Sequence, residues 1–360
     1  MSEHLVVPDE RSGIELDEFL CLQFPLLSKG HLRTFIRSGA VVVNGARVLP
    51  SWRLREGQVV SIDIPDDFEP KTPVAPRTPL RILAEQDEWL AVDKPAGLAV
   101  EPERWDRDAA CVSGGLLELS LARSRDDKSN VVAGAVQVTD AEVERGDADT
   151  TLDRRLRAVH RIDKDTTGIL LVAKSIEAER YLRRCFQTGL VSKEYLALVE
   201  GEFRPAEGED EWIDAPISPD RRRVGRMLIR TGGKPSRTRV RVVQSFRGFT
   251  LVKCYPETGR THQIRVHLAH AGFPLVIDPL YGRRSELMLS EVKRKYRPKK
   301  GQTERPLMDR LTLHAATLEF PFRAGASLPD IENDPTQRIE SALPADYERA
   351  LRQLAKVRAH

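Results

Sequence analysis

His160–Ser175 reads HRIDKDTTGILLVAKS, and the fold turns on how its two halves are taken. GILLVAK, from Gly168 to Lys174, is a short continuous apolar run, the pattern of a strand covered on both faces. The half before it concentrates Arg161, Asp163, Lys164, Asp165, Thr166 and Thr167 in a segment that predicts a loop. A charged loop running into a buried strand commonly sets a carboxylate at the mouth of a cleft. For any single aspartate the plainer reading is a cap or a surface ion pair. Asp163 and Asp165, two positions apart, also fit the acid/base pair of a glycoside hydrolase, although nothing in the spacing turns both inward.

Three more segments share this character. WLAVDKPAGLAV (Trp89–Val100) is an apolar strand ending in a sharp Pro95–Gly97 turn. In VSKEYLALVEG (Val191–Gly201), Tyr195, Ala197 and Val199 alternate with Glu194, Leu196 and Leu198, which predicts a strand with Tyr195 on the side of Lys193. Such a tyrosine is by default a core residue, but its ring also suits stacking on an unpaired base. TGRTHQIRVHLAHAGFPLVIDPLYG (Thr258–Gly282) carries His262, His267 and His270 at spacings of five and three. Without HExxH or nearby acids these predict no metal site. Arg260 and Arg265 are stronger candidates, because guanidinium pairs bidentately with carboxylate or phosphate. Ile264, Val266, Leu268 and Ala271 predict a packed helix that would hold Arg265 rigidly.

The chain has 360 residues, enough for two domains or two and a tail. Its formal charge of +3, from 57 basic and 54 acidic residues, excludes a polycation, so a nucleic-acid site must come from local clustering. No apolar stretch approaches the roughly 20 residues of a membrane span, and MSEHLVVPDE lacks the basic and apolar regions of a secretory signal. A cytoplasmic protein that contacts no membrane is expected. Cys21, Cys111, Cys185 and Cys254 are scattered without a CxxC pair, which predicts reduced, partly buried thiols. No GxGxxG or Walker loop is present, and no cofactor is expected.

Five prolines between Pro65 and Pro79 predict a linker over 66–79, dividing a module at 1–65 from a larger domain at 80–325. Within that domain, 101–157 is highly charged and predicts an irregular insertion, with one helical segment at SGGLLELSLA. The remainder, 326–360, predicts a tail ending in a short amphipathic helix. In the first module, KGHLRTFIRSG sets Lys29, His31, Arg33 and Arg37 around a helix stopped by Gly39. VVVNGARVL then predicts a hairpin turning at Asn44–Gly45. A basic helix is more often a solvated face than an RNA site.

The order helix, R-x-x-I-x-x-G-x-V-x-V-N-G, basic turn and E-G-x-x-V over Leu16–Ile64 resembles the S4 RNA-binding domain, which shifts that balance toward RNA. DKPAGL, HRIDKDTTGILLVAK, KEYLALVEG, TGRTHQIRVHLAHAGFPLVIDPLYG and LTLHAATLEFP, in this order, resemble the RluA-type family of RNA pseudouridine synthases over about Leu80–Pro321. The resemblance implies an α+β fold: a mixed, largely antiparallel sheet flanked by helices and loops around a central cleft, beside a small S4-like module. It implies isomerisation of uridine to pseudouridine in structured RNA, large-subunit ribosomal RNA first and tRNA second; a monomer is expected. Asp163 matches the catalytic aspartate, Arg265 its arginine partner, Tyr195 the tyrosine stacking on the base, and Arg161 the arginine entering the space of a flipped nucleotide. His160, Lys193 and Arg260 are expected on the substrate side of the cleft, and Lys29, Arg33 and Arg37 on the S4 module's RNA face. A non-catalytic RNA-binding or ribosome-assembly factor is the competing class, against which an intact Asp163, Tyr195 and Arg265 weigh. Ile277 stands before Asp278 where the family usually has glycine, so local backbone near PLYG is expected to differ; Glu101 stands where histidine is common and the excursion after it is longer than usual, which bears on the loops that choose the RNA.

Overall fold

Gly168–Lys174 is so apolar because the strand it builds is covered on both faces. In the computed structural model, which describes residues 2–24, 27, 29–65, 68, 72–103, 106, 108–132, 156–204, 210–293, 296–297, 303–323, 325, 331 and 333–359, every residue of Thr167–Ala173 is buried. The chain forms two compact units, one of Met1–Ala75 with Arg104–Leu156, the other of Pro76–Glu103 with Arg157–His360.

The first unit holds β1 (Ser2–Val6), α1 (Leu16–Gln23), α2 (Lys29–Ser38), β2 (Val41–Val43), β3 (Val59–Asp63) and α3 (Val112–Val132). The strands pair antiparallel in the order β1-β3-β2. Phe19 and Leu20 of α1, Leu32 and Ile36 of α2, and Val60 and Ile62 of β3 are buried. Asn44 and Gly45 both adopt positive φ (50° and 76°), as a tight primed turn demands. The Asn44 side chain also accepts the Val59 amide at 2.8 Å. The hairpin is shorter than the alternation predicts: past the turn, only a single bridge joins Ala46 to Val43. Two of the basic side chains on α2 are spoken for. Arg33 Nε meets Asp17 Oδ2 at 2.6 Å and Lys29 Nζ lies 3.5 Å from both Asp17 and Glu18, whereas Arg37 is exposed.

The segment expected as an irregular insertion of the larger domain differs from that expectation. Val112–Val132 is helical, from SGGLLELSLA onward, and clusters with the first unit because its N-terminal turn packs on the Val74 backbone. The charged remainder at 133–155 lies outside the described residues.

The second unit is built on one mixed sheet. Its strands are β4 (Arg81–Glu85), β5 (Trp89–Lys94), β6 (Arg157–Ala158), β7 (Thr167–Ala173), β8 (Ser192–Glu200), β9 (Glu211–Asp214), β12 (Arg237–Phe246), β13 (Phe249–Pro256), β14 (Leu313–Pro321) and β15 (Thr336–Glu340), while β10 (Ile217–Pro219) and β11 (Met227–Ile229) form a separate hairpin. The main order is β4-β5-β7-β14-β8-β13-β12-β9, with β6 on β7 and β15 on β14. Pairing is antiparallel except where β14 runs parallel to β7, through His314↔Thr167 and Ala315↔Gly168. Gly168 (φ +108°) is required there: a Cβ would come within 2.2 Å of the Ala315 carbonyl oxygen.

The alternation in β8 sends its side chains to different cores. Ala197 and Val199 pack with Ile264 and Leu268 of α5 (Gln263–His270). Leu198 packs with Tyr347, Ala350 and Leu354 of α7 (Ala345–Val357), near Val292 of α6 (Leu289–Val292). A third core places Ile169 and Leu171 of β7 against Tyr181 and Leu182 of α4 (Ile176–Thr188), a helix capped by Ser175 and ended by Gly189 in the left-handed region. The stretch after 326 is therefore no tail. β15 extends the sheet, and α7 buries the apolar stripe whose spacing was legible.

Candidate active site

Asp163 reaches its position because the chain before β7 is tied at three points. The β6–β7 ladder ends where the His160 ring replaces a backbone acceptor, its Nε2 taking the Leu171 N–H at 2.9 Å. Asp163 and Thr166 close a turn through the Thr166 N–H and the Asp163 carbonyl, 3.1 Å apart. Lys94, wholly buried at the end of β5, donates to the carbonyls of Pro95, Leu98 and Lys164 at 2.8, 2.8 and 2.6 Å. Three acceptors match the three N–H bonds of an ammonium. Burial pulls its pKa down to about 7, against the opposing charges of Asp165 and Asp163.

The loop so held turns Asp163 into a cavity of about 510 Å³, walled by that loop, Phe186 and Gln187 of α4, Lys193 and Tyr195 of β8, the end of β13 and the start of α5. Arg265 Nη1 donates to Asp163 Oδ2 at 3.1 Å. The rest of that guanidinium forks onto Asp278, with Nε to Oδ2 and Nη2 to Oδ1 each at 2.8 Å. Asp278 also accepts the amides of Leu280 and Tyr281. Burial opposes the charge on Arg265, but the two carboxylates outweigh it and its pKa rises. Asp163 thereby receives one charge-assisted bond on one oxygen. Among the described residues its Oδ1 accepts no protein hydrogen bond.

Tyr195 lines the same cavity beside a bulge in the β14–β8 register, opposite Ala315–Thr317. Desolvation, and then the charge of Asp163, raise its pKa, so the phenol keeps its proton at neutral pH. Arg161, Lys193 and Arg260 line the wall, so cations outnumber the carboxylates Asp163 and Glu257. Arg161 is exposed, desolvation lowers the Lys193 pKa, and Arg260 Nε reaches the Pro235 carbonyl at 3.3 Å. His160 lines the cavity too, but its ring stacks on Phe186 (4.6 Å between centroids). Burial and the nearby Lys193 and Arg183 charges push its pKa down to about 3, so it is a neutral support of the loop as well as part of the wall. Lys29, Arg33 and Arg37 belong to the first unit and do not line this cavity.

Several contacts that hold this site were not legible in the sequence. Gln263 accepts the Thr258 hydroxyl and the Arg260 amide and donates to Arg237 and Thr238, which fixes the TGRTHQ turn. His262 sits at φ 56°, a strained left-handed position for a residue with a Cβ, with Nε2 4.0 Å from Asp163 Oδ2. Asp278 was visible only as the neighbour of Ile277. Ile277 itself is a buried core residue without positive φ, so its position does not call for glycine's conformational freedom. Asp165 does not line the cavity, so Asp163 and Asp165 do not form a facing carboxylate pair of the glycoside hydrolase kind. His267 is occupied by Thr238 and the Ala215 carbonyl at 2.9 and 3.0 Å.

Comparison with known proteins completes the assignment. The RNA pseudouridylate synthase family model matches residues 88–270, and the S4 domain model residues 16–60. Ribosomal large subunit pseudouridine synthase D of Xanthomonas campestris is 34% identical over 96% of this chain and 93% of its own. The protein of the same name from Nitrosomonas europaea is 37% identical over 78% and 72%. Ribosomal large subunit pseudouridine synthase C of Yersinia pestis is 30% identical over 98% and 95%. With a cleft built around the loop before β7 and similarity that spans nearly its whole length, the chain belongs to the RNA pseudouridylate synthase family, enzymes that isomerise uridine in RNA to pseudouridine, and it carries an S4 domain near its N-terminus.

Proposed function

We propose that the chain modifies uridines of large-subunit ribosomal RNA in the cytoplasm, as a monomer, with Asp163 as the group that acts on the nucleotide. The supporting observation is the carboxylate of Asp163, turned into a cavity and held by a guanidinium that Asp278 locks from behind. The names of the similar proteins support the choice of RNA. Among the described residues no helix is long and apolar enough to cross a membrane.

The reaction breaks the bond from the ribose to N1 of uracil and forms one to C5; the C5 proton leaves and N1 gains one, so substrate and product are isomers. Asp163 as a nucleophile or as a base toward the ribose must be ionised, and that is the state Arg265 favours. The target nucleotide is taken out of its stack, at a cost on the order of a few kcal/mol. Tyr195 then offers its ring to the extruded base, Arg161 enters the space left behind, and Lys193 and Arg260 hold flanking phosphates. The protonated phenol of Tyr195 suits stacking and hydrogen bonding better than proton abstraction as a phenolate.

The S4 domain at the N-terminus grips structured RNA by charge and shape. Of its three candidate cations, Arg37 is free to meet phosphate, while Lys29 and Arg33 face acids. Arg37→Ala should weaken RNA binding and lower the slope of log affinity against log salt by about 0.7 to 0.9. An unchanged slope in a filter-binding titration would remove Arg37 from the RNA face. The substrate itself is tested by mapping pseudouridines across total RNA of cells with and without the gene. Loss confined to large-subunit ribosomal RNA is expected, and loss confined to tRNA would overturn the assignment.

A further inference from the structure

The β10–β11 hairpin has a turn that the cavity does not account for. Asp220–Arg226 reads DRRRVGR, and Arg221, Arg222 and Arg223 are exposed with Val224 at 94% exposure on the tip. The turn is well formed: the Asp220 amide donates to the Arg226 carbonyl at 2.9 Å, and Asp220 Oδ1 accepts the Arg222 amide at 2.9 Å. Arg226 faces Asp220 at 3.9 Å, but among the described residues Arg221, Arg222 and Arg223 face no carboxylate. Three adjacent guanidiniums that face no carboxylate among the described residues, on an exposed hydrogen-bonded turn, match the spaced negative charges of a nucleic-acid backbone.

The same hairpin is wired to the reacting carboxylate. The first residue of β11, Met227, gives its N–H to the Tyr281 hydroxyl at 2.7 Å. That hydroxyl lies 2.9 Å from Nδ1 of His262, whose Nε2 lies 4.0 Å from Asp163 Oδ2. The Tyr281 ring is flanked by the guanidiniums of Arg226 and Arg265, at 5.7 and 5.2 Å from its centroid. His262 is held in its strained backbone conformation where this chain meets α5.

We propose that the Arg221–Arg223 turn is a phosphate-gripping arm for the RNA substrate, and that its seating is transmitted to Asp163 through Tyr281 and His262. The inference rests on Asp163 being the reacting group. With the Met227 amide on its oxygen, the phenol directs its own proton to Nδ1. Burial favours a neutral imidazole. The ring proton then sits on Nε2, turned toward Asp163. Movement of the arm shifts the phenol, and with it the donor that faces the carboxylate. Tyr281 and His262 are positioning residues in this scheme.

Two variants and their combination test it on an unmodified in vitro transcript of large-subunit ribosomal RNA. The triple variant Arg221→Ala/Arg222→Ala/Arg223→Ala should raise Kd at least about tenfold near physiological salt, flatten the salt slope by about 2 to 3, and lower kcat. Tyr281→Phe keeps the ring and removes one oxygen; its Kd should stay within about twofold while kcat falls at least about fivefold. Removing the arginines from Tyr281→Phe should weaken binding again without a further loss in kcat. Nitrogen NMR should find His262 with its proton on Nε2 in the parent and a mixture of tautomers in Tyr281→Phe. An unchanged salt slope in the triple variant overturns the arm. A parental kcat in Tyr281→Phe, or kcat losses that multiply in the combined variant, overturns the transmission. Asp163→Asn separates the two levels. If it is active, the role of Asp163 falls; if it is inert while Tyr281→Phe is unaffected, only the coupling falls.

Discussion

Asp163→Asn is expected to lose isomerisation by at least about a thousandfold, equivalent to roughly 4 kcal/mol of transition-state stabilisation, while RNA affinity stays within about tenfold, or about 1.4 kcal/mol. The asparagine amide occupies nearly the same volume, and its oxygen still accepts from Arg265 Nη1, so the wall of the cavity keeps its shape. What it lacks is the charge: an amide neither attacks the ribose nor takes a proton from it. The fold should hardly notice the change. Arg265 keeps both of its bonds to Asp278, and Asp163 is the partly exposed member of the trio, with its side chain at 19% exposure against 4% and 0% for the other two. Single-turnover assays by pseudouridine-specific chemical labelling, with binding and unfolding measured on the same preparation, decide the matter. Equal losses of binding and turnover would mean that Asp163 holds RNA and does no chemistry.

What the sequence revealed depended on how local each signal was. GILLVAK announced a strand covered on both faces because every side chain from Ile169 to Ala173 is buried, and that strand fixed where the preceding loop must open. The alternation in β8 likewise stated which side chains share a face, leaving open what each face meets. Asp163, Tyr195 and Arg265 stood out as a set only through resemblance, since they lie on three segments up to 102 residues apart and no periodicity links them. Partners were hidden for the same reason. The fork from Arg265 to Asp278 spans 13 residues and a turn. Lys29 and Arg33 read as free cations until α1 brought Asp17 beneath them. His160 looked like a ligand for RNA, and its spare nitrogen is consumed in ending a β-ladder. The 326–360 stretch shows how an amphipathic pattern predicts a helix without naming its neighbour: the stripe of α7 was plain, and the Leu198 and Phe246 it covers were not.

Arg265→Met should be the most destabilising of the substitutions considered, by about 3 to 5 kcal/mol, because it strands a buried carboxylate. Asp278 is fully buried and, among the described residues, would keep the Leu280 and Tyr281 amides, two dipoles in place of a cation. Asp163 would lose its contact with the Arg265 guanidinium at the same stroke, so activity should vanish together with stability. Arg265→Lys should rescue little. One ammonium cannot fork onto both oxygens of Asp278 and still reach Asp163, a task that needs the three separate nitrogens the arginine uses. The double variant Arg265→Met/Asp278→Leu distinguishes a structural pair from a catalytic one. Removing the stranded charge and filling its site with apolar volume should return most of the lost stability, since a buried ion pair is often matched by packed hydrocarbon. Activity should stay absent, because Asp163 would remain without its cation and the loop amides of Leu280 and Tyr281 without their acceptor. Denaturant unfolding of the three variants beside the parent measures the first effect and labelling of the RNA product the second. A loss below about 1 kcal/mol in Arg265→Met, or turnover regained in the double variant, would show that Asp163 works without the cation held against it.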